Sequence, residues 1–209
     1  MSDATPTRSA LLELKQERQA MQEGNVFLDE KCLLLAGEML RQLARHDELR
    51  RALLRAHEAA ALALRAAVAR HGVAGVQVHP AADLEGAQVR TREWSLMGVR
   101  LQDAGWQGVP GATPATVNPS PEATACRDAY LEVVRQAAPL AAVTGNLERL
   151  HAEYRRASRR ARALQDVLLP ELDRAVREID ARLEELEQED ALQMRRGVAL
   201  LVRADEVIQ

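Results

Sequence analysis

The sequence predicts a fold dominated by α-helices: a long antiparallel two-helix coiled coil, formed by the N- and C-terminal helices, with a small central β-hairpin. Three observations support this fold class. Aromatic residues make up only 2% of the 209 residues, while Ala, Leu, Arg and Glu dominate, as in long helices. Apolar residues recur at steps of three and four toward both ends of the chain. Glycine, proline and both tryptophans are concentrated between these two regions.

Residues 1–71 are predicted to form the N-terminal helix of the coiled coil. Pro6, with Thr5 or Thr7 beside it, indicates the helix start, because proline is tolerated in the first turn and a hydroxyl can cap the unpaired amides. A heptad frame then begins at Leu11 and continues to Ala67. Four polar residues in this frame cost stability but can fix the register between two helices. They are Arg18, Asn25, Gln42 and His46.

A second apolar row runs beside the seam of this helix and widens its apolar face. A wider face indicates contact with more than one neighbouring element. The row consists of Leu12, Val26, Leu33, Ala36, Leu40, Leu43, Leu54 and Leu64.

Residues 72–121 are predicted to form loops and a small β-hairpin, because they are rich in glycine and proline. Residues 87–94 and 96–103 alternate imperfectly between apolar and polar side chains, with a tight polar turn between them. Residues 105–121 have the composition of a flexible connection. The segment is too small for an enzyme domain.

Residues 122–209 are predicted to form the C-terminal helix. Pro139 and Gly145 are expected to bend or interrupt it early, because proline removes a backbone donor and clashes with the preceding turn. Around Pro170 the seam positions 164, 168, 172 and 176 follow one another at steps of four, so four extra residues interrupt the heptad repeat. This interruption predicts a bend or a differently wound stretch near Leu169. The seam consists of Leu147, Leu150, Tyr154, Ala157, Ala161, Leu164, Leu168, Leu172, Val176, Ile179, Leu183 and Leu186.

The two long helices must run antiparallel for their seams to meet. The two termini are then expected to lie together at one end of the pair, and the hairpin toward the other end.

No catalytic, cofactor or metal site is predicted. The five histidines are scattered, and the sequence has no helical pair at ligand spacing and no glycine-rich phosphate loop. Cys32 and Cys126 have no partner cysteine at metal spacing, and we expect both to be reduced and structural.

The formal net charge of −3, with basic and acidic residues interspersed, does not demand a nucleic-acid partner. A basic cluster is explained either by a solvated helix face or by an acidic protein partner, and we favour the partner. The cluster consists of Arg155, Arg156, Arg159, Arg160 and Arg162.

The start of the sequence has no secretory signal pattern, and no apolar run approaches the about 20 residues of a membrane span. Charged residues and a histidine break the richest candidate, residues 52–69. The sequence therefore predicts a cytoplasmic chain without direct membrane insertion.

The opening PTRSALLELKQERQAMQEGNVFLDEK resembles the start of the D subunit of the V-type and A-type ATPases and ATP synthases. The later stretch RRARALQDVLLPELDRAVREIDARLEELEQEDALQMRR resembles that family's C-terminal helix in its Arg-Arg-x-x-Ala-Leu, its Leu-Pro and its Glu-rich turn. The central Met97-Gly98-Val99 also fits. The chain departs from the family pattern at Lys31-Cys32-Leu33, where Arg-Asp and a leucine usually follow the lysine.

The resemblance implies a non-catalytic central-stalk rotor that couples ion flow through a membrane ring to ATP synthesis or hydrolysis by transmitting torque. It implies that the coiled coil enters a hexamer of catalytic A and non-catalytic B subunits, that the F subunit binds lower on the stalk, and that the loop end rests on a funnel subunit above the ring. The chain would then be peripheral to the membrane through this complex. The residues expected to line the hexamer are Thr7, Arg8, Lys15, Arg18, Arg195 and Arg196.

Two other interpretations remain open at this point. A coiled-coil scaffold or adaptor unrelated to a motor would associate with itself through the seam. An enzyme of unrecognised type would need a pocket with convergent polar groups, for which this composition offers little material.

Overall fold

A computed structural model of the chain describes residues 7–82, 84–108 and 120–208. The predicted fold class is confirmed: long N- and C-terminal helical regions flank a small antiparallel hairpin. The chain divides into two compact units, one of residues 1–30 with 157–209 and the other of residues 31–156. The elements are α1 (Arg8–Gln77), β1 (Gln88–Leu96), β2 (Val99–Gln107), α2 (Pro121–Ala163), a π-helical turn (Leu164–Leu168) and α3 (Leu169–Ile208).

Helix α1 begins with a capped turn, in which the Ala10 amide donates to Thr7 Oγ1 at 3.2 Å. All the heptad positions predicted from Leu11 to Ala67 are buried or half-buried. The sequence pattern stopped near residue 71, and the backbone does break at Gly72, where φ is 70° and ψ is 167°. Helical hydrogen bonding then resumes and extends α1 to Gln77.

In the unit that contains both ends of the chain, α1 runs antiparallel to α3. Ion pairs join the described parts of the two helices, and the residue number on α3 falls as that on α1 rises. The pairs are Arg8–Glu187 at 2.5 Å, Lys15–Asp180 at 3.8 Å and Arg18–Asp173 at 3.2 Å.

In the other unit, α1 runs antiparallel to α2. Lys31 Nζ lies 2.6 Å from Glu153 Oε1, and Arg70 Nη1 lies 2.7 Å from Glu122 Oε1. The core of this unit brings both helices and the hairpin together. It contains Leu35, Val99, Leu101 and Leu150, with Met39, Leu96 and Tyr154 packed against them.

Helix α2 starts at a proline and continues through a second one. Ser120 caps it by accepting a hydrogen bond from the Ala123 amide at 3.3 Å, and Pro121 occupies the first turn. Of the bend or interruption predicted at Pro139 and Gly145, the interruption does not occur, because α2 runs unbroken to Ala163. Pro139 removes one main-chain hydrogen bond, and the burial of the turn that follows it, at Ala142 and Val143, offsets that loss.

The differently wound stretch predicted near Leu169 is present as one π-helical turn. The Leu169 amide donates to the Leu164 carbonyl, five residues back instead of four. The wider turn inserts one residue into the seam, so Leu169 is half-buried while Leu168 is 41% exposed. The assignment of Leu168 to the seam was therefore wrong. Pro170 explains the position of the turn, since its ring is incompatible with regular α-helical bonding just before it.

Strands β1 and β2 pair in register from Leu96↔Val99 to Gln88↔Gln107. The turn is Met97-Gly98, two residues later than predicted, and both residues have positive φ, 49° and 84°. This is the backbone that a two-residue hairpin requires, and glycine adopts it without strain. Strand β2 continues beyond the predicted end at Asp103, and the rest of the predicted connection, residues 109–119, lies outside the described residues.

The place of the hairpin relative to the two termini stays a prediction, but a contact within its own unit shows where it lies on α1. Strand β2 packs beside the middle of α1, where Asp103 pairs with Arg45 at 2.8 Å, and α1 continues beyond this contact to Gln77. The reason is a buried apolar patch, centred on Leu35 and Leu150, that Val99 and Leu101 complete.

Candidate partner-binding surfaces

The side chain of Asn146 attaches the hairpin to α2. Its Oδ1 accepts from the Gln102 amide at 2.8 Å, and its Nδ2 donates to the Gln102 carbonyl at 2.7 Å. Oδ1 also accepts from Arg149 Nη2 at 2.8 Å, and Nδ2 donates to Gln42 Oε1 at 3.4 Å. Asn146 is only 1% exposed, so its amide is fully used inside the protein.

This arrangement follows from the register of the hairpin. Leu96 and Val99 flank a two-residue turn and bond to each other, so alternate residues of β2, including Arg100 and Gln102, direct their backbone groups away from β1. Asn146 satisfies the outer edge at Gln102 as a third strand would. The hairpin is thereby held on two sides, by Asn146 and by the apolar core.

The basic residues predicted to contact a partner near the chain ends have different surroundings. Arg8, Lys15 and Arg18 form the ion pairs with α3, and the hydrogen bond to Glu187 raises the pKa of Arg8. Thr7 caps α1. Arg195 and Arg196 are exposed on α3. Arg8, Lys15 and Arg18 thus lie where α1 pairs with α3, and Thr7 lies at the start of α1. Arg195 and Arg196 face solvent.

The second apolar row of α1 is mostly exposed in this chain. Leu33 is 74% exposed, Leu40 69% and Leu43 48%, and Ala36 between them is half-buried. These four residues, which we call the outer row, are spaced as successive a and d positions of a heptad. The hairpin contacts the neighbouring seam, at Leu35 and Met39, and none of the described helices and strands covers the outer row.

An apolar cavity of about 330 Å³ lies where the end of α1 meets the start of α2. Val76, Pro80, Leu84, Cys126, Tyr130 and Val134 are among its lining residues. Tyr130 and Val134 are about 40% exposed, so apolar surface continues to the cavity mouth. Burial raises the pKa of the Cys126 thiol, which keeps it protonated as a small apolar side chain.

A second cleft, of about 500 Å³, lies between the hairpin and α2. We call it the polar cleft after its charged side chains: Arg100 and Glu93 line it from the strands, and Arg149, Glu153 and Arg156 from the helix. Arg156, from the predicted basic cluster, also lies 3.4 Å from Glu153. The other arginines of that cluster are exposed on α2.

The described residues contain no group of three or more His, Cys, Asp or Glu side chains placed to hold a metal ion. Among the same residues, α1 contains an 18-residue window with a mean hydropathy of 1.2, which meets the length and composition of a membrane-crossing helix. The sequence analysis predicted no membrane-spanning stretch, because it looked for an unbroken apolar run. Alanines raise the mean hydropathy of this window although it contains charged residues. Core helices of soluble proteins satisfy the same criterion.

Sequence reasoning missed Asn146 and the polar cleft. The available signal was the position of Asn146 directly before the regular seam of the C-terminal helix, where a buried polar residue needs a partner. Two of the four polar residues in the frame of α1 do bond to the partner helix: Arg18 to Asp173 and Gln42 to Asn146. Asn25 hydrogen-bonds to Asp29 within α1, and His46 Nδ1 lies 3.7 Å from Asp47.

Comparisons with known proteins agree along nearly the whole chain. A family model described as the D subunit of ATP synthase matches residues 10–196. The chain is 30% identical to the D subunit of the A-type ATP synthase of Pyrococcus abyssi, with 94% of both chains covered. It is 27% identical to the protein of that name from Methanopyrus kandleri, covering 97% of this chain and 89% of the relative. It is 26% identical to the D subunit of the V-type ATP synthase of Thermotoga neapolitana, covering 91% and 95%. Because the family model spans most of the sequence, the chain belongs to the family of ATP synthase D subunits.

Proposed function

We propose that this chain is the central-stalk rotor of a V/A-type rotary ATPase or ATP synthase. It couples ion flow through the membrane ring to ATP synthesis or hydrolysis by transmitting torque to the catalytic hexamer, and it performs no catalysis itself. The observation that carries this proposal is the antiparallel pairing of α1 with both α2 and α3 in a chain of the D-subunit family. In this role the chain is cytoplasmic and peripheral to the membrane through the complex.

Transmission of torque requires helices that do not slide past one another. Ion pairs tie α1 to α3 near the chain ends, and Lys31–Glu153 ties α1 to α2 with both side chains less than one-fifth exposed. A rotor also needs a surface that differs around its axis, so that each catalytic interface meets a different face. The π-helical turn supplies such a difference, because it changes the phase of the helix surface by one residue.

The unit with both ends of the chain is proposed to contact the A and B subunits. Thr7, Arg8, Lys15 and Arg18 lie at the start of α1, and Arg195 and Arg196 lie far along α3. Because the first three basic residues are ion-paired inside the chain, Arg195 and Arg196 are the better candidates for a direct contact.

Two surfaces of the other unit are proposed to receive the stalk partners. The outer row of α1 matches the seam that a packed helix requires, and we assign it to the F subunit. The apolar cavity near Val76 and Tyr130, at the loop end of α1 and α2, is assigned to the funnel subunit. An exposed apolar cavity of this kind is typical of a site that accepts a partner's side chains.

The test is reconstitution with the A and B subunits of the same organism, with the F subunit present. We expect one copy of this chain per hexamer and a change in ATP hydrolysis on its addition. If the A and B subunits assemble but do not retain this chain, the rotor assignment is wrong. Self-association in light scattering would then favour the coiled-coil scaffold.

Paired variants refine the test. Arg195→Glu with Arg196→Glu is expected to weaken assembly or turnover while the isolated chain stays helical by circular dichroism. Arg50→Glu with Arg51→Glu is the matched control, since these two neighbouring arginines are also exposed. Unchanged assembly and turnover in the first variant would remove Arg195 and Arg196 from the interface. Leu33→Gln with Leu40→Gln is expected to lose the F subunit selectively.

A further inference from the structure

We propose that the polar cleft between the hairpin and α2 binds an acidic, extended segment of a protein partner. The cleft is distinct from the outer row, the apolar cavity and the chain ends, so the proposal goes beyond the assignments above. It is lined by three arginines, Arg100, Arg149 and Arg156, and by two glutamates, Glu93 and Glu153.

The electrostatics of the cleft favour an anion. Glu153 is already engaged by Lys31 at 2.6 Å, from outside the cleft, so its charge is offset there. Arg156 also pairs with Glu153, at 3.4 Å, so Lys31 and three arginines together face two carboxylates and the cleft keeps a net positive charge. Guanidinium groups bind carboxylates through strong, charge-assisted hydrogen bonds.

The shape of the cleft favours an extended peptide over a single small anion. Arg149 and Arg156 lie on one face of α2, two turns and about 10 Å apart. Ala152 lines the cleft between them and, having a short side chain, leaves space there. That rise along the helix matches about three residues of an extended chain.

The backbone of β2 provides a second recognition element. Arg100 is the outward-directed residue next to Gln102 on the same edge, and it lies in the cleft. Asn146 occupies the edge at Gln102. A bound segment can therefore pair with the Arg100 amide and carbonyl while its acidic side chains reach Arg149 and Arg156, as in strand addition.

The test uses the isolated full-length chain, so its result does not depend on assembly of the ATPase. The probe is a fluorescein-labelled peptide of alternating Glu and Ser, with a Gln/Ser peptide as the uncharged control, measured by fluorescence anisotropy at low salt. We expect the Glu/Ser peptide to bind, and Arg100→Gln with Arg156→Gln to weaken it by about tenfold or more. This variant leaves Arg149 in place, because Arg149 supports Asn146.

Two further variants separate the cleft from general charge attraction. Ala152→Trp is expected to abolish binding without changing the charge, because it fills the cleft. Glu93→Gln is expected to strengthen binding about two- to threefold by removing the opposing carboxylate. Arg50→Gln with Arg51→Gln is the matched control and is expected to leave binding unchanged. Circular dichroism and the Tm establish that each variant is folded.

Three results would each overturn the proposal. One is the absence of peptide binding. The second is equal weakening in the Arg50 and Arg51 control, which would show nonspecific attraction. The third is tight binding of inorganic phosphate that displaces the peptide and is insensitive to Ala152→Trp, which would show a small-anion site.

Discussion

Asn146 forms two hydrogen bonds to the backbone of Gln102, one to the amide and one to the carbonyl, at 2.8 and 2.7 Å. A side chain of α2 thus takes the position of a neighbouring strand on the outer edge of β2. The same amide reaches Gln42 of α1 and Arg149 of α2, so one residue joins both helices to the hairpin.

Asn146→Ala is expected to destabilise the chain by about 2–4 kcal/mol, because it leaves the Gln102 amide and carbonyl unpaired and half-buried. Urea unfolding followed by circular dichroism measures the loss. Asn146→Asp should destabilise the chain more than Asn146→Ala at neutral pH, because a carboxylate then faces the Gln102 carbonyl. Part of the lost stability should return in acid. Thr144→Ala is the control, because the exposed Thr144 hydroxyl donates to the Leu140 carbonyl of the same helix. Equal losses at the two positions would argue against the anchoring role.

Deletion of Val167 is expected to be tolerated when combined with Pro170→Ala. The π-helical turn contains one residue more than an α-helical path, so this deletion restores the steps of the seam, and Val167 is 51% exposed. We expect the Tm to stay within about 5 °C of that of Pro170→Ala alone.

The control is deletion of Arg159 in the same background. That deletion rotates the rest of the helix by about 100° relative to its seam and should lower the Tm by more than about 10 °C. Similar losses from both deletions would show that the extra residue is not confined to the turn.

The cap at the start of α2 gives the stability a pH dependence. The Glu122 backbone amide, Arg70 and Ser120 all hydrogen-bond to the Glu122 carboxylate and lower its pKa from the ordinary 4.5. Since the folded pKa is the lower one, the stabilisation is present above about pH 4.5 and disappears as the pH falls through the folded value.

Glu122→Gln should therefore be less stable than the parent chain at pH 7, and the two should converge in acid. Urea unfolding across this range measures the difference, with Glu148→Gln on the exposed side of α2 as the control. A difference that persists at the lowest pH would assign the effect to packing instead of charge.

The hairpin turn should respond oppositely to two substitutions. Gly98 has φ of 84°, so Gly98→Ala is expected to cost about 1–2 kcal/mol. Met97 has φ of 49°, which asparagine tolerates better, so Met97→Asn should stabilise the chain slightly. Gly105→Ala serves as the control, since nothing lies within 4 Å of the added methyl group. Equal effects at Gly98 and Gly105 would mean that the turn geometry does not limit stability.

The pairing of the long helices could be predicted, because the residues of a buried seam recur every three or four positions and this repeat is visible in the sequence. Every frame position from Leu11 to Ala67 is buried or half-buried. Pro170 correctly indicated where the helix winding changes. It did not indicate whether Leu168 or Leu169 is buried, because both are leucines and one inserted residue exchanges their environments. The effect of Pro170 on the backbone is local in sequence, whereas the burial of Leu169 depends on packing against residues far away in the sequence.

The position of the hairpin could not be predicted in the same way. It depends on contacts such as Asn146–Gln102, between residues 44 positions apart and outside any periodic pattern. The basic residues near the chain start show a related limit. Arg8 and Arg18 were expected to contact another protein, and a sequence alone does not distinguish such a partner from α3 of the same chain. The outer row differs from these cases: its period indicated an additional neighbour, and three of its four side chains are exposed among the described residues.

The attachment of the hairpin through β2 has a consequence for its motion. Every residue of β1 except Leu96 is exposed, and β1 is held mainly by its bonds to β2. Strand β1 can therefore detach while β2 stays bonded to Asn146 and packed at Val99 and Leu101. Amide hydrogens of β1 should exchange with solvent through this local opening, whereas those of β2 that face the helices should require a larger unfolding event. The two strands of one sheet should thus open with different free energies.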